Sequence, residues 1–357
     1  MIEIDGSMHS GSGTILRYAV ALATLKRESL HITHIRNKRP KPGLRRQHLQ
    51  AVEAACAISG GHAEGAEVGS QEILFTPGRT IPGGEFRFDI GSAGSATMAA
   101  FTLIPPCLFA SSASKITIAG GLFQDFAPSF FHMQRVLLPL LRKMGADLNL
   151  RMLRPGYVPD GQGQLEMTVK PARSPLKPLN MVDRGSVEAV NGIALSSHLT
   201  EQMVSRRMAR RALNLLRDQG FQAKIDEMND SSAVQRGAAL VLWAQTDTGC
   251  ILGADQAGKR GRKSESIADF VAKSLMQDLD SSATTDRHLA DQLIMFAALA
   301  DGTTRYTIPI TTDHVESNLW LVDTILGAKA DLDGNLLSIH GMAFESPDTC
   351  GCSVKCL

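Results

Sequence analysis

One pattern recurs three times along this chain, and it limits the fold more than any other feature. It consists of an apolar strand, a loop, a long helix, a small-residue stop and two further extended segments. In the first copy the strand spans 30–35, a basic Pro/Gly loop runs to Gly43, and a helix over 44–59 stops at Gly60-Gly61. In the second, a strand over 115–119 leads through the loop 120–127 to a helix over 128–144. Phe130, Met133, Leu137, Leu140, Leu141 and Met144 recur there at helical spacing. Gly145-Ala146 ends that helix, and strands over 147–152 and 165–170 follow. The third copy has a strand over 306–310, a helix opening near His314, a stop at Gly327-Ala328, and strands over 329–332 and 336–340.

Another helix precedes each copy, over 11–26, 92–110 and 285–300. Each unit is therefore β-α-β-α-β-β. A period of about 100 residues is too long for a solenoid. It suits a two-layer module, a sheet with two helices on one face. The expected fold class is α+β: three such repeated modules with a smaller inserted α/β domain. The insertion spans 184–279, where the repeat breaks. It carries a helical run with Arg206, Arg207, Arg210 and Arg211, a strand over 238–244, the basic turn Gly258-Lys-Arg-Gly-Arg-Lys263 and a helix over 264–276. The Pro-rich stretch 171–178 leads into it. Residues 1–183 and 280–340 form the main domain, and 341–357 a C-terminal tail.

Lys and Arg total 37 against 36 Asp and Glu, so the net charge is +1. Affinity for a polyanion must then come from local patches rather than a global field. No stretch is long and apolar enough to span a bilayer, and the N-terminus has no basic or apolar leader pattern. A cytoplasmic protein without membrane partners is the expectation. Three of the six cysteines crowd the end, Cys350, Cys352 and Cys356. With no second cluster to complete a metal site, a frayed tail is the expected reading.

Three segments converge on phosphate chemistry. Gly6-Ser-Met-His-Ser-Gly-Ser-Gly-Thr14 is a Gly/Ser loop between a strand and a helix, a form that either closes around an anion or simply turns the chain. The run from Arg36 to Arg46 holds six basic residues in eleven and no acid. Its prolines and glycine stiffen it ahead of a helix, as a phosphate contact or a solvated face. It has no aromatic for base stacking. The third segment is Tyr306 to Val322. Asp313 is the expected N-cap, Glu316 completes a capping box, and His314 falls in the first helical turn. There the helix dipole disfavours imidazolium, leaving a neutral ring able to attack phosphorus. The alternative is a surface histidine near a cap. Asp291 and Gln292, polar positions within the preceding apolar helix, face either solvent or a ligand.

Together these motifs resemble the RNA 3′-terminal phosphate cyclase family over nearly the full length. They are Asp5-Gly6, Gly11-Ser-Gly-Thr-Ile-Leu-Arg17, Ile35-Arg-Asn-Lys-Arg-Pro-Lys-Pro-Gly-Leu44, Arg46-Gln-His48, Gly65-Ala-Glu-Val-Gly-Ser70, Ile90-Gly-Ser-Ala-Gly-Ser95, Leu289-Ala-Asp-Gln-Leu293, and His314 with Asn318. The resemblance implies three modules similar to the C-terminal domain of a bacterial translation initiation factor, plus an inserted domain. It implies ATP-dependent conversion of an RNA 3′-phosphate to a 2′,3′-cyclic phosphodiester through a histidine–AMP adduct on His314 and an RNA-adenylate. ATP and Mg2+ or Mn2+ would be required. Carried over by position, Arg17 steadies nucleotide phosphates, and His288, Leu289, Ala290, Asp291 and Gln292 line the nucleotide pocket with Pro128 as an adenine-facing wall. Arg36 and Arg39 bind the RNA phosphate, with Lys41 and Gln47 in the same loop region.

The chain also departs from the family. Ser10 stands where a glutamate of the metal and nucleotide site is usual, so the metal ligands are unknown. His9 is unusual beside it. Phe101 replaces a common nucleotide-contacting glutamine, and His288 a common tyrosine. Two other functions therefore stay open: a non-catalytic RNA-binding or ribosome-assembly relative, and an adenylating enzyme with another phosphate-end acceptor.

Overall fold

The computed structural model describes residues 1–346, and the terminal cysteines lie outside them. The chain opens with β1 (Ile2–Asp5), α1 (Gly13–Lys26), β2 (Leu30–Thr33), α2 (Arg46–Ser59), β3 (His62–Glu64) and β4 (Ile73–Thr76). Next come β5 (Gly84–Asp89), α3 (Ala96–Leu108), β6 (Ser114–Gly120) and α4 (Phe130–His132), which runs through a π-helical turn, Met133–Leu137, into α5 (Leu138–Lys143). β7 (Asp147–Arg154), β8 (Gly163–Lys170) and the short β9 (Asn180–Met181) follow. Then come β10 (Val187–Ser197), α6 (Val204–Asp218), β11 (Ala223–Asp230), β12 (Gly237–Thr246), β13 (Ile251–Ala257) and α7 (Ser264–Asp280). The described chain closes with α8 (Leu289–Leu299), β14 (Thr303–Thr307), α9 (Asp313–Leu326), β15 (Ala330–Asp333) and β16 (Leu336–His340).

This is an α+β fold. Among the described residues there are four four-stranded sheets, ordered β1-β2-β4-β3, β5-β6-β8-β7, β15-β16-β14-β9 and β11-β10-β12-β13. In each of the first three sheets a parallel pair stands beside an antiparallel hairpin. β9 pairs in parallel with β14 through Arg305 and Tyr306, although the whole of the fourth sheet lies between them in sequence. The strand expected over 306–310 is displaced: β14 starts at Thr303 and ends at Thr307. Its alternation puts Thr304 and Tyr306 inside, and the following segment has turned away before Ile310, which is exposed.

Helices α1, α2 and α3 pack on one another, α1 also packs on α9, and α9 on α8. α1, α3 and α8 are apolar nearly all round, as centrally buried helices must be, and in α8 only Asp291 among eleven residues is not buried. The fourth sheet packs its helices α6 and α7 together and against its own strands. Residues 341–344 return along the end of α8, where Met342 N–H donates to the Ala298 carbonyl and Phe344 N–H to that of Leu299. No helix among the described residues is long and apolar enough to cross a membrane.

Candidate active site

The first turn of α9 differs from the sequence expectation by one residue. Thr312, not Asp313, is the N-cap, its hydroxyl accepting from Val315 N–H at 3.2 Å. Thr312 has the extended backbone a cap needs, whereas Asp313 already belongs to the helix. Three residues on from His314, Ser317 reaches the Gly/Ser loop. Its hydroxyl lies 2.8 Å from Ser10 Oγ and accepts from Ser10 N–H at 3.2 Å, and Ser10 Oγ lies 3.0 Å from Ser12 Oγ. Ser12 also caps α1. The loop is held on its outer side by Lys38, whose ammonium donates to the His9 carbonyl at 2.7 Å, and the His9 ring packs 5.1 Å from Trp320.

The start of α8 is tied to the same place through its backbone. The Asp291 carbonyl accepts from Tyr18 Oη at 2.7 Å and from Asn318 Nδ2 at 3.1 Å, and the Ala290 carbonyl from Tyr306 Oη at 2.9 Å. Helices α1, α8 and α9 thus meet at one junction that includes Arg17, Asp291, Gln292, His314 and Asn318. Four buried polar atoms there have no protein partner: Arg17 Nε, Gln292 Oε1, His314 Nδ1 and Asn318 Oδ1. Buried polar groups are nearly always paired, so their concentration at one junction suits a polar, anionic ligand such as a nucleotide.

The electrostatics agree with that reading. Burial lowers the His314 pKa, and the charges of Arg17 and Arg39 lower it further, against an opposing pull from Asp313. The ring is therefore neutral for a different main reason than the helix dipole: partial burial beside cations. Burial also brings Arg17 down to about 10, with Arg36 adding to the effect. Burial raises Asp291 to about 7, with Asp286 adding to it while Arg17 and His132 oppose.

The remaining expected residues fall into two groups. Gln47 lines a groove with Arg17, a cavity of ≈ 460 Å³, and accepts from Ser95 N–H at 2.8 Å. Arg39 is exposed, and its charge acts on His314. Arg36, by contrast, is turned onto its own loop, donating to the Lys41 and Gly43 carbonyls, each at 2.8 Å. Lys41 is exposed. Leu289 and Ala290 are fully buried and offer only backbone, while His288 is exposed. Pro128 gives its carbonyl to Thr97. Phe101 is 2% exposed and packs between Tyr18 and Phe296, in the core beneath the junction rather than on its surface.

Sequence reasoning gave no role to Ser317, His48 or the pair His132–Asp286. His48 is buried, and its Nδ1 accepts from Arg45 N–H at 3.2 Å. Its Nε2 lies against Gly13, leaving no room there for a Cβ. Its position beside Gln47 in the basic motif was the available signal. Asp286 caps α8 by accepting from His288 and Leu289 N–H at 2.9 and 2.8 Å, and pairs with His132 Nε2 at 3.2 Å.

The donor set does not fit a metal held by the protein alone. Among the described residues no cluster of three or more His, Cys, Asp or Glu is placed to hold one. Ser10 belongs to a closed set of hydroxyls, neutral ligands too weak for a divalent cation without carboxylates.

A family model described as RNA 3′-terminal phosphate cyclase matches residues 8–332. An RNA 3′-terminal phosphate cyclase of Archaeoglobus fulgidus is 40% identical over 339 residues, 95% of this chain and 100% of that one. One of Pseudomonas fluorescens is 37% identical over 339 residues, 93% of this chain and 94% of that one. One of Methylococcus capsulatus is 35% identical over 352 residues, 96% and 97% of the two chains. With a junction of buried, unpaired polar groups around one neutral histidine, and likeness along almost the whole length, the chain belongs to the RNA 3′-terminal phosphate cyclase family.

Proposed function

We propose that this protein converts an RNA 3′-terminal phosphate to a 2′,3′-cyclic phosphodiester at the expense of ATP, with His314 as the nucleophile. The observation that carries this is His314 itself: partly buried, kept neutral beside Arg17 and Arg39, at the N-terminus of α9. Nδ1 is buried, so attack falls to Nε2. The Nε2 lone pair forms a bond to the α-phosphorus of ATP and pyrophosphate leaves. An oxygen of the RNA 3′-phosphate then takes the AMP, breaking the P–N bond. Finally the neighbouring 2′-OH attacks the 3′-phosphorus, loses its proton, and expels AMP. Arg17, in the first turns of α1, steadies phosphate charge. Asp291 and Gln292 meet the nucleotide, with His288 and Pro128 at the pocket's edge. Arg39, Lys41 and Gln47 face the RNA end, and Arg36 shapes their loop. Mg2+ or Mn2+, if used, would neutralise triphosphate charge, and the described residues offer no cluster of ligands to hold it.

We read the three sheets of like order as copies of one β-α-β-α-β-β module, similar to the C-terminal domain of a bacterial translation initiation factor. Residues 1–183 and 280–340 form the catalytic domain, and 184–279 an α/β domain inserted in the third module. The test is a 3′-phosphorylated oligoribonucleotide incubated with ATP and either metal. The terminal phosphate becomes resistant to phosphatase and a 2′,3′-cyclic end forms. An end that stays phosphatase-sensitive under every metal and nucleotide tried would refute the reading. The closed hydroxyl set at Ser10 favours a second one, an RNA-binding relative without turnover, which that result would support.

A further inference from the structure

The groove that holds Arg17 and Gln47 continues beyond the junction. It runs past the Ser95 loop to Phe126, Val158, Gly258 and Lys259. The last three also line a second cavity of ≈ 700 Å³ formed by the basic turn of the inserted sheet and the start of α7. The two cavities are thus one path from Arg17 onto the insertion.

The second cavity has an unusual charge. Arg207, Arg236, Lys259, Arg260, Arg262 and Lys263 line it, and no Asp or Glu does, in a chain whose net charge is only +1. Arg207 is neutralised by Glu265 and Arg262 by Asp125. Arg236, Lys259, Arg260 and Lys263 are exposed and enter no ion pair among the described residues. Between this patch and Arg17 stands Phe126, fully exposed, with a left-handed backbone at φ 67°. That conformation is disfavoured for a bulky residue, and the ring gains no packing from it.

The path is held rigidly. Tyr157, in the loop beside Val158, packs on Gly237 of the inserted sheet and bonds Ser197 Oγ at 2.8 Å. Gln235 Nε2 donates to the Tyr157 carbonyl at 2.6 Å, and Arg262 pairs bidentately with Asp125. A basic track interrupted by a presented aromatic is the form that binds single-stranded nucleic acid without reading its sequence.

We propose that the nucleotides preceding the RNA 3′ end lie along this path. A base upstream of the terminal two nucleotides stacks on Phe126, and the phosphates around it meet Lys259, Arg260 and Arg236. The inserted domain is then the RNA-gripping part of the molecule. This rests on the cyclase reading for the identity of the strand.

The test measures anisotropy of labelled, 3′-phosphorylated single-stranded RNAs of increasing length, from a dinucleotide upward. Affinity of the full chain rises with length. Lys259→Ala with Arg260→Ala lowers affinity for the long RNA by about tenfold and reduces its salt slope by about two. Phe126→Ala lowers it by about tenfold without changing that slope. Neither change alters dinucleotide binding or AMP labelling of the protein by ATP. Affinity independent of length, or equal losses on dinucleotide and long RNA, would overturn the proposal, as would competition by an acidic peptide and not by unlabelled RNA. Length-dependent, variant-sensitive binding without cyclic product would support the path and refute the cyclase reading instead.

Discussion

At the scale of single residues, one junction holds two titratable groups pushed in opposite directions. His314 loses protons more readily than a free imidazole, and Asp291 keeps its proton to about 7. Burial causes both, since each charged form lacks water. For Asp291 the folded state binds more protons than the unfolded one between the ordinary carboxylate value and about 7, so stability falls as pH rises through that window. Asp291→Asn removes the loss, and its thermal midpoint gains on the wild type between about pH 5 and about pH 8. A constant difference across that range would contradict this. Arg39 is exposed, acts on His314 through its charge, and on the proposed reading meets the RNA end. Arg39→Ala therefore raises KM for the 3′-phosphorylated RNA by about tenfold, the scale of one lost charged phosphate contact. It changes AMP labelling of the protein much less. Equal loss in both half-reactions would place Arg39 on the nucleotide instead. Asp291 and Gln292 were legible as polar positions in an apolar helix, and His314 as a residue of a first helical turn. Phe101 was not legible as core, because a lone aromatic in an apolar run has no sequence mark of which side it faces.

Among elements, the contact between the Gly/Ser loop and α9 decides the site's shape. Ser317 holds Ser10 through two bonds and also donates to the Asp313 carbonyl at 2.6 Å. Ser317→Ala leaves the buried Ser10 N–H unpaired and costs about 1–3 kcal/mol of stability. AMP labelling slows because the loop loses its fixed distance from His314, while affinity for long RNA is unchanged. Unchanged stability and labelling would show that the hydroxyl set is incidental. Element boundaries were largely readable: β16 has the expected span, and α2, β6 and α9 shift by a few residues at most. Between residues 184 and 279, β10, β11 and β13 had no usable signal. β11, Ala-Lys-Ile-Asp-Glu-Met-Asn-Asp, pairs only with β10 at the sheet edge, so its polar outer face hides the alternation. The helix expected over 128–144 carries a π-helical turn, which residue spacing does not reveal.

Across the whole molecule, one buried pair joins three distant parts of the chain. Asp286, before α8, meets His132 of α4 and accepts from Gly253 N–H of β13, in the fourth sheet, at 2.8 Å. Both side chains are wholly buried. Burial alone would raise the Asp286 pKa, yet His132 and the backbone N–H donors bring it to about 2. Burial would likewise lower His132, and Asp286 outweighs it, so the net shift is upward. His132→Ala leaves a buried carboxylate without its cation and costs about 3–5 kcal/mol. Chemical denaturation of the full chain measures this, and a loss within experimental error would show that the pair is not what fastens the fourth sheet. Such contacts were invisible in the sequence, because pairing across 154 positions leaves no periodicity. The like strand order of the first three sheets has a mark in the sequence, where strand, helix and small-residue stop recur in that order.

The central claim is that His314 carries AMP, and labelling with ATP marked at the α-phosphate tests it most directly. With Mg2+ or Mn2+ the wild-type protein becomes labelled through an acid-labile, alkali-stable bond, as a phosphoramidate requires. Label is absent from His314→Ala, although that variant remains folded. Wild-type protein that stays unlabelled, or a His314→Ala variant that still takes up the label, would contradict the account.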